Sequence, residues 1–187
     1  AMTLRSLAPP EKVWKFSQKL TATTDIVADA NFGYAVSISG DYAIVGARGE
    51  NTNTGAAYIF KRSGTTWTKL KRITASPPVA GSRFGTAVGI DGDYAIVGSF
   101  GASNNKAYIF SKDQGSADNW GQTRVLTGAA SSNFGYAVAI KGLHAIVGAY
   151  GESSGKGAAY IHFRDQDGSN NWGWVSTVLD STGSSGD

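Results

Sequence analysis

The 187-residue chain has no cysteine, which excludes a disulfide framework, a thiolate metal site and a thiol nucleophile. Long apolar runs are also missing, and none approaches the roughly 20 residues that a helix needs to cross a bilayer. Ala1-Met2-Thr3-Leu4-Arg5 lacks the apolar middle of a signal peptide. Charge of one sign is scarce, since 17 lysines and arginines stand against 14 acids. A nucleic-acid binder concentrates its basic residues in a stripe. Here the densest groups are Lys61-Arg62 and Lys69 to Arg72, which read as solvated strand ends and a strand edge, so no nucleic-acid partner is expected. Proline is limited to two pairs, Pro9-Pro10 and Pro77-Pro78. The first pair removes backbone donors and marks residues 1–13 as an irregular lead-in. Residues 180–187 have the composition of a flexible tail.

What is present in quantity is repetition. Phe32-Gly33-Tyr34-Ala35-Val36 opens a stretch that closes at Phe60, and the stretch returns as Phe84 to Phe110 and as Phe134 to Phe163. One tryptophan keeps the same step, at Trp14, Trp67, Trp120 and Trp172. A period of about 50 residues means one supersecondary unit copied along the chain, because a unit of that size must stack on a neighbour to bury its apolar faces.

Each copy contains four strand-like runs. Tyr34, Val36 and Ile38 alternate with Ala35 and Ser37, as side chains on opposite faces of a strand do. Gly40-Asp41 then suits a tight hairpin. Tyr42-Ala43-Ile44-Val45 is apolar on both faces, which predicts a strand covered on both sides. Ala57-Tyr58-Ile59-Phe60 gives a third strand, and the run from Trp67 through Leu70 to Ile73 a fourth. The charges interleaved in that last run fit an outer strand that discourages edge pairing.

Four antiparallel strands per copy, in tandem, describe propeller blades. The runs Phe-Gly-Tyr-Ala-Val, Gly-Asp-Tyr-Ala-Ile-Val-Gly-Ala and Gly-Ala-Ala-Tyr-Ile-Phe resemble FG-GAP repeats, the blades of integrin α-subunit heads and of many bacterial surface proteins. The resemblance spans residues 14–179. It implies an all-β, non-enzymatic binding or adhesion module at the cell surface or outside the cell, and relatives of this type include lectins. Blades are expected over about 32–75, 84–127 and 134–179, with the Trp14 run as an extra N-terminal outer strand. Three wedges cannot close a ring, since closed propellers use about four to eight. The ring is therefore expected to be completed either by another copy, most simply as a two-fold dimer, or by the remainder of a longer propeller. A purely structural assembly element is the alternative function.

Candidate sites follow from comparing the copies. The connection between strands two and three varies while the strands repeat: Arg48-Gly49-Glu50-Asn51-Thr52-Asn53, Phe100-Gly101-Ala102-Ser103-Asn104-Asn105, and Tyr150-Gly151-Glu152-Ser153-Ser154. Rigid scaffolds carry function on such loops. The candidate ligand-binding residues are Arg48, Glu50, Asn51, Asn53, Phe100, Asn104, Asn105, Tyr150 and Glu152, facing a protein or a glycan. The integrin-type calcium loop is not carried over, because Ser39-Gly40-Asp41, Asp91-Gly92-Asp93 and Lys141-Gly142-Leu143 offer too few oxygens. Asp165 to Asn170 is carboxylate-rich but has the composition of an ordinary turn. His144 and His162 replace aromatic residues of the other copies and read as packing substitutions. No metal, cofactor or catalytic group is assigned.

Overall fold

The computed structural model describes residues 17–22, 28–101 and 104–179. The lead-in, the Trp14 position and the tail lie outside the described residues. Three antiparallel sheets of four strands follow one another, each in sequential strand order. Blade 1 comprises β1 (Phe32–Ser39), β2 (Tyr42–Ala47), β3 (Ala56–Ser63) and β4 (Thr66–Ile73), with a short turn α1 (Glu50–Asn53) between β2 and β3. Blade 2 comprises β5 (Phe84–Asp91), β6 (Tyr94–Ser99), β7 (Lys106–Ser111) and β8 (Gly121–Thr127). Blade 3 comprises β9 (Phe134–Lys141), β10 (His144–Ala149), α2 (Glu152–Gly155), β11 (Ala158–Phe163) and β12 (Gly173–Leu179). The described residues form an open run of propeller blades, with no closed ring.

Alternation decides which side of each sheet meets which neighbour. Between blades 1 and 2, Ile44, Ala57, Ile59 and Ile73 of blade 1 pack against Val88, Ile90, Ala95, Val97, Tyr108 and Phe110 of blade 2. The next interface repeats this chemistry, with Ile96, Ala107, Ile109 and Leu126 facing Ile140, Ala145 and Val147. Within each blade the phenylalanine of the Phe-Gly pair stands edge-on to a tyrosine of the third strand: Phe32 to Tyr58, Phe84 to Tyr108 and Phe134 to Tyr160, at 5.6, 5.4 and 5.1 Å. Quadrupolar attraction favours this geometry.

The glycine after that phenylalanine has a mechanical reason. Gly85 sits at φ 92° beside a bulge in β5, and a Cβ there would lie 2.4 Å from the Ala56 carbonyl oxygen of blade 1. Its backbone in turn fills the space over Gly46, whose added Cβ would meet the Gly85 oxygen at 2.2 Å. Gly135 and Gly98 repeat the fit between blades 2 and 3. Backbones of successive blades thus approach as closely as glycine allows.

The two ends of the stack keep the same chemistry uncovered. Val36 and Ile38 of blade 1 are 68% and 66% exposed, whereas their counterparts Val88 and Ile90 are 8% and 4% exposed. On blade 3, Ile146 and Val178 are 41% and 53% exposed, against 0% and 4% for Ile44 and Ile73. The far side of blade 1 is partly covered by Leu20 and Ala22, which pack on Ala43, Val45, Tyr58 and Phe60. They hold the place before Trp67's blade that Ile73 and Ala75 hold before Trp120's, as the tryptophan step requires.

Two of the recurring tryptophans are not outer-strand residues as expected. Trp67 lies in β4, but Trp120 and Trp172 precede β8 and β12, with φ of 49° and 51°. The hairpins before them are longer, so each indole is turned inward and set edge-on to a tyrosine of the preceding blade, Tyr42 or Tyr94, at 5.3 Å. Both indoles are 1% exposed. The same hairpin of blade 2 is tied across by Asp118, which accepts from Tyr42 Oη and Lys61 Nζ, each at 2.6 Å. Lys61 and Tyr42 hold the Asp118 carboxyl below its usual range.

Candidate functional site

Antiparallel order brings the β2–β3 type loops and the connections between blades to one face. The first of these loops is wound unusually: Asn51, Thr52 and Asn53 lie at φ 48°, 54° and 61°, and Ser153 and Ser154 of blade 3 at 51° and 61°. The single turns α1 and α2 are therefore left-handed, where asparagine is tolerated better than other side chains.

A carboxylate inside each turn holds it to its own sheet. Glu50 accepts from Tyr58 Oη at 2.6 Å and from Arg72 Nε at 2.6 Å, and only 5% of the residue is exposed. Burial and the Glu50 charge push the Tyr58 hydroxyl well above its usual pKa, so it remains a donor. Glu152 accepts from Tyr160 Oη at 2.7 Å. In blade 2 the position of Glu50 is taken by alanine, and Asn104 does the work from two residues on, donating to Tyr108 Oη at 2.9 Å and Ser99 Oγ at 3.1 Å. Glu50 and Asn104, expected as candidate ligand contacts, are therefore buried and bonded within their own blades. The reason is the tyrosine on the third strand, whose hydroxyl lies under each loop and needs a partner when buried. Glu152 is half-buried in the same role.

The remaining candidates divide into two places. Arg48 lies over the Tyr34 ring of blade 1, its guanidinium carbon 3.7 Å from the ring centre, and Asn51 is exposed on the α1 turn. Phe100, Asn53 and Asn105 meet at a hollow of about 430 Å³ between the loops, with Arg83 and Asn133 completing its wall. The Asn105 side-chain oxygen is buried there without a hydrogen-bond partner among the described residues. On its other side Phe100 joins an aromatic cluster: it lies 5.2 Å from Tyr136 and 5.9 Å from Tyr150, and those two are 4.8 Å apart. Tyr136 and Tyr150 are 48% and 51% exposed. Sequence comparison of the loops brought out Phe100 and Tyr150 but missed Arg83, Asn133 and Tyr136, which come from the connections and first strands. Arg83 carried a signal of its own, since the other copies have asparagine before their Phe-Gly pair, at Asn31 and Asn133.

The opposite face is a ladder between blades. Ser39, Asp91 and Lys141 hold one structural place on three blades. Asp91 accepts from Ser39 Oγ at 3.3 Å, from Lys141 Nζ at 2.9 Å and from the Gly142 amide at 2.8 Å. The Gly142 amide and the Lys141 ammonium hold its carboxyl below the ordinary value. Asp165 is engaged by Arg164 Nη2 at 2.6 Å and by the Asn170 amide at 3.0 Å. Among the described residues no group of three or more histidines, aspartates or glutamates gathers in metal-binding geometry. His162 is 4% exposed, with Nδ1 3.2 Å from the Trp172 carbonyl and the ring against Phe134. His144 packs against Phe163, the rings tilted by 44°, at the uncovered face of blade 3.

No curated protein matches the chain. A family model described as the FG-GAP repeat matches it three times, over residues 14–60, 67–110 and 120–162, each match starting at one of the recurring tryptophans. Those matches cover most of the chain, and the Phe-Gly pairs of the second and third are the ones that lock blade to blade: this chain belongs to the FG-GAP repeat family.

Proposed function

We propose that this chain is a non-enzymatic binding module that recognises a protein or glycan through the face carrying the β2–β3 loops. The observation that carries the reading is the cluster of Phe100, Tyr136 and Tyr150, solvent-facing aromatic rings beside an amide-lined hollow. Half-exposed tyrosines on a rigid platform provide contact area at little entropic cost, which is why they anchor recognition surfaces. Glu50 and Asn104 leave the proposed contact set on their burial, and Glu152 on its bond to Tyr160. Arg48, Asn51, Asn53, Phe100, Asn105 and Tyr150 stay in it. The family's repeats are typical of extracellular propellers, and no helix among the described residues is long and apolar enough to cross a membrane.

Glycan-array and surface-protein pull-down assays of the wild type beside a Phe100→Ala/Tyr150→Ala variant test this. Loss of a bound ligand by about tenfold or more is expected, the usual size for aromatic anchors. A variant that binds as the parent does, or silence in both assays, would sink it.

A second reading, in which the module also assembles, is favoured by the uncovered ends. Blade 3 presents at Ile146 and Val178 the same surface that blades 1 and 2 bury, and blade 1 presents Val36 and Ile38. Burying one such side chain is worth about 1.5–3 kcal/mol. A second copy or further blades of the same type would cover both ends.

A further inference from the structure

We propose that the hollow between the blades takes an acidic saccharide, and that Arg83 pairs with its carboxylate or sulfate. The inference rests on the recognition-surface reading and names its ligand class.

The argument begins with the backbone. Asn31, Arg83 and Asn133 hold one place on three blades, with φ of 55°, 52° and 57°. Left-handed backbone disfavours any residue with a Cβ, and asparagine least, because its short amide can bond locally. Asn31 does so, donating from Nδ2 to the Asp29 carbonyl at 2.7 Å. Arginine has no such compensation, yet blade 2 carries one there. Strained backbone of this kind persists where its surroundings fix it, and here they do. The Arg83 amide donates to the Asn53 carbonyl at 2.8 Å, the Phe84 amide to Thr54 at 3.1 Å, and Ser82 Oγ to Thr54 at 2.9 Å. Thr86 Oγ1 in turn donates to the Arg83 carbonyl at 2.7 Å.

The side chain on this rigid base is unspent. Arg62, Arg72 and Arg164 are each paired with a carboxylate, of Asp41, Glu50 and Asp165. The Arg83 side chain has no hydrogen bond or ion pair among the described residues, and the described residues that wall the hollow include no acid. Its neighbours there are the amides of Asn53, Asn105 and Asn133 and the ring of Phe100. A guanidinium fork matches a carboxylate or sulfate with two parallel hydrogen bonds. Amides both donate and accept, which suits sugar hydroxyls. Phe100 offers an apolar surface for the C–H face of a pyranose. A hollow of about 430 Å³ lies within the usual size of small-ligand sites. An acidic peptide would satisfy Arg83, but it would leave the separate amides without the several hydroxyl directions that a sugar ring supplies.

Calorimetric titration of the whole chain decides this, with the methyl glycosides of glucuronic, galacturonic and N-acetylneuraminic acid as probes. The methyl ester of each is the uncharged control, and a Glu-rich tetrapeptide the peptide control. At least one acid should bind about tenfold more tightly than its ester, a margin that salt reduces. Arg83→Asn, which installs the residue of the sibling blades, should erase that margin while leaving the unfolding temperature intact or improved. Equal binding of acid and ester, a margin that survives Arg83→Asn, or no binding of any acid would each overturn the proposal. So would Arg83-dependent binding of the tetrapeptide alone. Neutral sugars that bind through Phe100 without preferring the acid would refute the ligand class and leave the recognition surface standing. Loss of the Phe100→Ala/Tyr150→Ala effect would refute that surface.

Discussion

At the scale of single residues, His162 is the clearest place where one copy departs from the others. Its Nδ1 faces a carbonyl that can only accept, so Nδ1 carries the proton and Nε2 is left as a buried acceptor with no partner among the described residues. Burial lowers its pKa below 6.5, with the Trp172 carbonyl opposing the shift and Arg124 adding to it. The unfolded chain therefore takes up a proton near pH 6.5 that the folded chain refuses, so stability is lost as pH falls below that value and is unaffected above it. His162→Phe, which restores the Phe60 and Phe110 type, removes the unpaired atom but also the Nδ1 bond to the Trp172 carbonyl, so its gain at pH 7 should stay below about 1 kcal/mol. Its advantage over the wild type should widen between pH 7 and pH 5 in thermal melts. A constant difference across that range would show that the imidazole is not held neutral. Glu50 gives a second case. Glu50→Ala leaves Tyr58 and Arg72 without their shared partner, and the partly exposed Arg72 reduces the 3–5 kcal/mol typical of a broken buried pair to about 2. Glu152→Ala strands only a tyrosine and should cost about 1 kcal/mol in urea unfolding. Equal losses would mean that Arg72 contributes nothing to the blade 1 loop.

At the scale of the element, the hairpin ending at Trp120 behaves differently from the one ending at Trp67. Trp120→Ala should cost about 3–5 kcal/mol, because it empties a wedge packed on Tyr42, Ile44 and Ile59 of the neighbouring blade. Trp67→Ala, on a half-exposed ring, should cost well under half of that, and denaturant midpoints of the two variants would reverse this ranking if the indoles were equivalent. The sequence makes them look equivalent, since only their period is visible in it. Strands, two-residue turns and sheet order were legible for a related reason: alternation and the glycine-led turn are local, and three copies repeat them. The loops were not legible. Whether Glu50 faces water or Tyr58 depends on a strand eight residues away and on a left-handed turn that Asn51 and Thr52 do not announce. Arg83 is intermediate, because its oddity against Asn31 and Asn133 is written in the chain while the hollow beside it is not.

At the scale of the whole molecule, the glycines report which blade faces are covered. Gly98 carries the Gly135 carbonyl where its Cβ would be, at 2.1 Å, whereas the equivalent Cβ on Gly148 would meet Ala137 of its own blade no nearer than 3.4 Å, ordinary contact. A Cβ on Gly33, the counterpart of Gly85 and Gly135, would meet nothing within 4 Å among the described residues. Among the described residues, blades 1 and 3 thus each keep an unused half of the blade joint on their outer side, and one methyl group tells whether the joint is used. Gly98→Ala forces backbone against backbone inside the chain and should lose more than about 3 kcal/mol or fail to fold. Gly148→Ala should fold with an unfolding temperature close to that of the wild type as a single chain. If blade 3 receives another blade in solution, the same methyl group meets an incoming Phe-Gly backbone. Light scattering should then find the wild type heavier than one chain and Gly148→Ala reduced to one chain. A wild type already at the mass of one chain would remove the assembly reading. A heavier wild type whose mass Gly148→Ala leaves unchanged would move the contact away from blade 3, because no blade of this family can approach that face as blades 2 and 3 approach theirs without striking an added Cβ.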